Sequence, residues 1–141
     1  MIEENIFFFV LFGFVGVAAE IFFTSIHSLI KKEKNRAMIG HSSLWMFFIY
    51  GAVYFIILFG TTYLSQYSIF LRGLIYMIFI YALELSSGLI LKRFNALCWD
   101  YCKDTKYHFK GIISLEFAPL WYIGGILFEL VYSYIKIHLI F

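Results

Sequence analysis

Long apolar runs separated by short polar stretches set the pattern of this chain. Ile6 to Ile30 has only Glu20 and His27 as ionisable breaks. Ser43 to Leu64 carries no charge, and Gly73 to Leu91 carries one, Glu84. Gly111 to Ile135 contains Glu116, Glu129 and the only proline, Pro119. A helix needs about 20 apolar residues to cross a ~30 Å hydrocarbon core. Each run is near that length. The pattern predicts an all-α polytopic membrane protein: a four-transmembrane-helix bundle with an interfacial loop between helices three and four. The 141 residues are expected to form a single transmembrane domain, with spans at about 6–30, 43–64, 73–91 and 111–135. Glu3 and Glu4 stand where a cleaved signal peptide would carry positive charge, so the first run is expected to stay as a span.

Composition agrees. The chain is 62% hydrophobic and only 14% charged, against about 25% charged in soluble domains. A net charge of +2 with no basic cluster of phosphate-neutralising size excludes nucleic acid as a partner and leaves membrane lipid.

The placement of charge says more than its total. Of the eleven Lys and Arg, all but Arg72 and Lys136 fall in two places. Lys31, Lys32, Lys34 and Arg36 lie between spans one and two, and Lys92, Arg93, Lys103, Lys106 and Lys110 lie between or beside spans three and four. An even number of spans puts both loops on one face. The positive-inside rule makes that face cytoplasmic and both termini non-cytoplasmic.

The longer loop, Phe94 to Lys110, mixes Trp99, Tyr101, Tyr107 and Phe109 with Lys and Asp. Amphipathic aromatics favour the membrane interface. The loop is expected to lie there, partly helical. Cys98 and Cys102 would then sit on the reducing side, where a disulfide is not expected.

An ionisable group inside a span is a functional candidate by default. At about 1.5 Å per residue, Glu20 lies roughly 16 Å from the cytoplasmic edge, Glu84 roughly 12 Å and Glu116 roughly 9 Å. His41 and Ser43 stand at the mouth of span two, and Asp100 in the loop. Gly13, Gly16, Glu20, Thr24 and His27 form one helical stripe, and Tyr81, Glu84 and Gly88 another. Small residues on a stripe permit close packing, so both stripes are expected to face protein. Pro119 lacks an N–H and would leave the Leu115 carbonyl free beside Glu116 as a candidate ligand. Glu129 is expected at the outer interface. Buried glutamates that only fix the bundle are the plain alternative for Glu20, Glu84 and Glu116.

Four segments carry a resemblance: Gly40-His41-Ser42-Ser43-Leu44-Trp45, Glu84-Leu85-Ser86-Ser87-Gly88, Trp99-Asp100-Tyr101, and Leu115-Glu116-Phe117-Ala118-Pro119-Leu120-Trp121-Tyr122. In this order they resemble the transmembrane protein 229 family and the bacterial CmpB-like proteins described as putative ABC-transporter type IV. The resemblance implies a small polytopic, permease-like membrane protein and adds Trp99 and Tyr101 to the binding candidates. The family usually has Ser after Trp-Asp-Tyr, where this chain has Cys102. The chain carries no Walker A sequence, so ATP hydrolysis would need other subunits.

The expected function is a transporter-like membrane protein. Its cytoplasm-facing acidic site, made from Glu20, His41, Ser43, Glu84, Trp99, Asp100, Tyr101 and Glu116, would take a cation, a proton or a polar headgroup. Two rivals stand beside it. One is an intramembrane metal-dependent enzyme, with Glu20, His41, Glu84 and Glu116 as candidate ligands of a metal-ion cofactor, although Glu-x-x-His pairs are absent. The other is a structural or regulatory subunit. A bundle this small would enclose a pathway only as a homo-oligomer.

The charge asymmetry generates a direct prediction. A cysteine replacing Lys34 should react with an impermeant thiol reagent only after the cytoplasmic face is opened. Labelling in intact cells would reverse the orientation.

Overall fold

A computed structural model describes residues 2–30 and 37–139. The first basic stretch, Lys31 to Arg36, lies outside the described residues. Four helices form: α1 (Ile2–Ile30), α2 (Leu44–Tyr63), α3 (Ile69–Arg93) and α4 (Ala118–His138). All four, with the short 3-10 turn Leu115–Phe117 counted into the last, are long and apolar enough to cross a membrane. The sequence expectation of an all-α polytopic chain is met. The only strands among the described residues are β1 (His108–Phe109) and β2 (Ile113–Ser114). By contacts the chain forms two compact units, residues 1–52 and 53–141, with the boundary inside α2.

In the first unit, α1 packs on the first half of α2 through glycine. A Cβ on Gly13 would lie 2.6 Å from the Phe47 ring, and one on Gly51 would lie 2.8 Å from the Phe9 ring. A Cβ on Gly16 would fall inside the Tyr50 side chain. The Gly13/Gly16 stripe therefore faces protein, as expected. Close backbone approach is the means by which apolar helices associate when the surrounding lipid is as apolar as they are.

In the second unit, Tyr76 is the centre of packing. It is fully buried, and Gly60 of α2 and Gly125 of α4 each leave room for it. The contacts Tyr76 with Gly125 and Arg72 with Glu129 run in opposite chain directions, so α3 and α4 are antiparallel.

Glu129, expected at the outer interface, has a partner inside the protein, Arg72. Glu129 is buried, and both its carboxylate oxygens accept from one guanidinium: Arg72 Nε at 3.0 Å and Nη2 at 2.5 Å. The Tyr76 hydroxyl donates to Oε2 at 2.5 Å. Arg72 Nη1 donates to the Ser65 and Tyr67 carbonyls, which ties down the α2–α3 turn. A planar guanidinium matches a carboxylate fork in this way, and lysine cannot.

The α3–α4 connection holds no α-helix, although part of it was expected to be helical. Helix α3 ends in a Schellman motif: Ala96 N–H donates to the Leu91 carbonyl and Asn95 N–H to the Lys92 carbonyl, with Asn95 at φ 53°. Further on, Ile112 N–H donates to the Phe109 carbonyl at 3.0 Å. Lys110 and Gly111, between them, have φ 55° and 73°. Positive φ at both central positions makes a hairpin turn whose twist suits antiparallel strands. The pairing is His108 with Ser114 and Phe109 with Ile113.

The fourth helix accordingly starts later than predicted. Residues 111–114 belong to the hairpin, and Pro119 lies in the first turn of α4, where its missing N–H costs nothing. The Leu115 carbonyl accepts from Ala118 N–H, so it is not the open ligand that the proline suggested.

Two expected outcomes follow from this packing. Gly16→Leu should destabilise the protein in detergent by about 1–3 kcal/mol or more, as overpacking does; unchanged thermal stability would assign the stripe to lipid. Arg72→Met should cost about 3–5 kcal/mol by stranding a buried carboxylate, and adding Glu129→Met should recover most of it. Equal loss in the single and double variants would show that the pair is not coupled.

Candidate functional site

The expected stripe on α3 does face protein, but its partner is the loop. Tyr81, Glu84 and Gly88 lie on one face, three and four residues apart. Tyr81 donates its hydroxyl to the Ser114 carbonyl at 2.6 Å. Glu84 is 4% exposed, and its Oε1 accepts from the Tyr101 hydroxyl at 2.7 Å. At Gly88 the backbone leaves space for Ile112 and Trp99; a Cβ there would lie 3.1 Å from the Trp99 ring. Glu84 is nine residues before the end of α3, or about 13 Å along the axis. The loop thus covers the last three turns of the helix.

The loop is built to hold Tyr101 in that position. Trp99 Nε1 donates to the Ile112 carbonyl at 2.9 Å, and Tyr101 N–H donates to the Gly111 carbonyl at 2.9 Å. The Asp100 carboxylate accepts from Cys102 N–H at 3.0 Å, a local turn typical of Asp. Gly111 is required there on two grounds. Its φ is positive, and a Cβ would lie 2.5 Å from Asp100 Oδ1 and 2.7 Å from Cys102 Sγ.

Asp100 is exposed, and the Cys102 N–H holds its carboxyl below the usual range. The hydrogen bond that the Cys102 thiol donates to the Asp100 carboxylate pushes the thiol up, which disfavours the nucleophilic thiolate. His108 Nδ1 stands 3.9 Å from that sulfur. Cys98 and Cys102 are both free thiols.

Glu116 stands in the 3-10 turn ahead of α4 rather than inside the helix, because the span begins late. It is exposed, and its Oε1 accepts from Lys106 N–H at 2.9 Å.

Glu20, His41 and Ser43 belong to the first unit. The Glu20 carboxylate accepts from the Ser42 hydroxyl at 2.5 Å. Thr24 Oγ1 accepts from His41 N–H at 2.9 Å and donates to the His41 carbonyl at 3.1 Å. It is the backbone of His41 that docks here, and its side chain is exposed. A Cβ on Gly40 would collide with the Ile21 carbonyl, so the Gly-His-Ser-Ser segment lies directly on α1. Ser43 accepts from Trp45 N–H at 3.2 Å and so starts α2 as its cap.

The structure therefore brings Glu84, Trp99 and Tyr101 together, with Asp100 beside them at the Gly111 turn. Glu20 has its own polar neighbours. Sequence reasoning passed over three contributors. Ser42 rather than Ser43 bonds the carboxylate, and only the docked backbone decides between neighbouring serines. Thr24 was seen as part of a stripe but not as the clamp on His41. Tyr81 was seen as a packing residue, not as a donor to the loop. Among the described residues no three His, Cys, Asp or Glu side chains gather into a group able to hold a metal ion.

A family model described as Putative ABC-transporter type IV matches residues 7–140. No solved structure matches the chain. The match covers most of α1, all of α2, α3 and α4, the α3–α4 hairpin, and the carboxylates Glu20, Glu84 and Glu116. This chain belongs to the Putative ABC-transporter type IV family and is a small, multi-pass, transporter-like membrane protein.

Proposed function

We propose that this protein binds a proton or small cation at an intramembrane acidic site centred on Glu84, with Tyr101 as its loop-borne partner. The observation that carries the proposal is the chemistry of the Glu84 contact. A buried carboxylate inside an apolar helix is held, at Oε1, by a hydroxyl on a loop. A hydroxyl donates to a carboxylate and accepts from a carboxylic acid. The contact therefore survives either protonation state, and the hydroxyl oxygen also suits a hard cation.

Glu20 has a partner of the same kind in Ser42 and serves as a second acidic position, in the first unit. Glu129 is the contrast. Besides the Tyr76 hydroxyl, it is held by a guanidinium that only donates and stays charged, which suits a structural lock.

In this reading the site is reached from the face carrying the basic loops, which is cytoplasmic, and the termini lie outside. Asp100 and Glu116, both exposed, are acidic groups near the mouth of the path. Ser43 and His41 organise the segment that covers Glu20. Several copies of the chain associate to enclose the pathway.

Flux in proteoliposomes tests this. Glu84→Gln should reduce proton or cation uptake at least about tenfold, equivalent to about 1.4 kcal/mol, while keeping its thermal stability in detergent. Tyr101→Phe should give a smaller loss, and Glu84→Asp should retain part of the flux. Undiminished uptake in Glu84→Gln would reject the site. Equal loss of stability and flux in all three variants would favour a purely structural carboxylate.

A further inference from the structure

The hairpin between α3 and α4 has a face that the acidic site does not use. Tyr107 is 68% exposed, Phe109 52% and Leu115 69%. Lys106, His108 and Lys110 are exposed among them, and the Lys110 ammonium lies 5.5 Å from the centre of the Phe109 ring. From Thr105 to Ser114 there is no Asp or Glu. Two acids flank it: Asp104, directly before Thr105, and Glu116, whose carboxylate accepts from Lys106 N–H, while Asp100 accepts from Cys102 N–H.

The hairpin also cannot travel far. Strand β2 leads straight into the 3-10 turn and α4, and Tyr81 bonds the Ser114 carbonyl. Leu115 N–H bonds the Tyr107 carbonyl at 2.9 Å. Lys92, at the end of α3, bonds the Lys110 carbonyl at 3.3 Å. A rigid aromatic and cationic tip is thus tied to the ends of two membrane-spanning helices, so the surface it meets is the adjoining leaflet.

We infer that the Tyr107–Leu115 hairpin is a binding surface for anionic phospholipid headgroups. Phe109 and Tyr107 enter the interfacial layer, and Lys106 and Lys110 meet the phosphates. Aromatic rings favour this depth, and lysines beside a negatively charged leaflet add attraction that falls off within a Debye length. The inference depends on the membrane reading of α3 and α4 and not on any role for Glu84.

The test uses the full-length protein in micelles containing equal amounts of phosphatidylglycerol and phosphatidylcholine with identical acyl chains. Native mass spectrometry counts the lipids retained. Phosphatidylglycerol should be retained in preference to phosphatidylcholine, with the preference collapsing in high salt. The Lys106→Gln/Lys110→Gln double variant should reduce that preference about twenty-five-fold, each lysine near an anionic surface being worth roughly a factor of five. The Lys106→Arg/Lys110→Arg variant should keep it. No preference in the parent protein, or a preference that survives the glutamine variant, would overturn the inference. The second outcome would place anionic lipid elsewhere on the chain.

Discussion

In hydrocarbon no water stands ready to satisfy a polar group, so each buried donor or acceptor must find its partner inside the protein. Helix α3 places a tyrosine, a glutamate and a glycine on one stripe of a largely apolar segment. Covering that stripe organises the second unit. The covering piece is the α3–α4 loop, folded back over the last three turns of α3. Its hairpin, its Asp100 turn and the positive φ of Gly111 all serve to place Trp99, Tyr101 and Ser114 on that face. Irregular backbone at such a level is tolerated when it is buried in protein, and here its own hydrogen bonds are closed by Trp99 and by the strand pair.

Three carboxylates away from the span ends, Glu20, Glu84 and Glu129, fall into two chemical kinds. Glu129 is fixed by a bidentate guanidinium and a tyrosine hydroxyl. Changing its charge would break an ion pair and free the α2–α3 turn. Glu84 and Glu20 instead accept from hydroxyls contributed by loop segments. In the proposed reading, a hydroxyl partner, able to donate to a carboxylate or accept from a carboxylic acid, suits a binding position for a proton or cation. The contrast also explains why depth alone is a poor guide to function. A salt bridge of good geometry at the far end of α3 is as buried as the proposed site.

The spans were legible because hydropathy over some twenty residues is a strong signal. The start of the fourth was misplaced because Ile112 and Ile113 are as apolar as a helix. Ile112 is in fact buried under Gly88 in a hairpin. Glu84 was visible as a lone acid in an apolar run, and Tyr101 only through the Trp-Asp-Tyr resemblance. The Arg72–Glu129 lock was missed because each residue was assigned on its own. Adjacent antiparallel helices with one acid and one base at matching levels should have suggested a pair. Pro119, three residues after Glu116, suits a helix start and does not interrupt the span. Ser42 became visible only once Gly40 had docked the segment on α1.

The most direct measurement of the central claim is the infrared difference spectrum of the protein in lipid on adding a proton or cation. Isotope-labelled glutamate would identify carboxyl bands. The account predicts a carboxyl band change in the parent protein that is absent in Glu84→Gln and shifted in Tyr101→Phe, where the hydroxyl partner is gone. The same carboxyl change persisting in full in Glu84→Gln would contradict it, because the responding acid would then lie elsewhere in the chain.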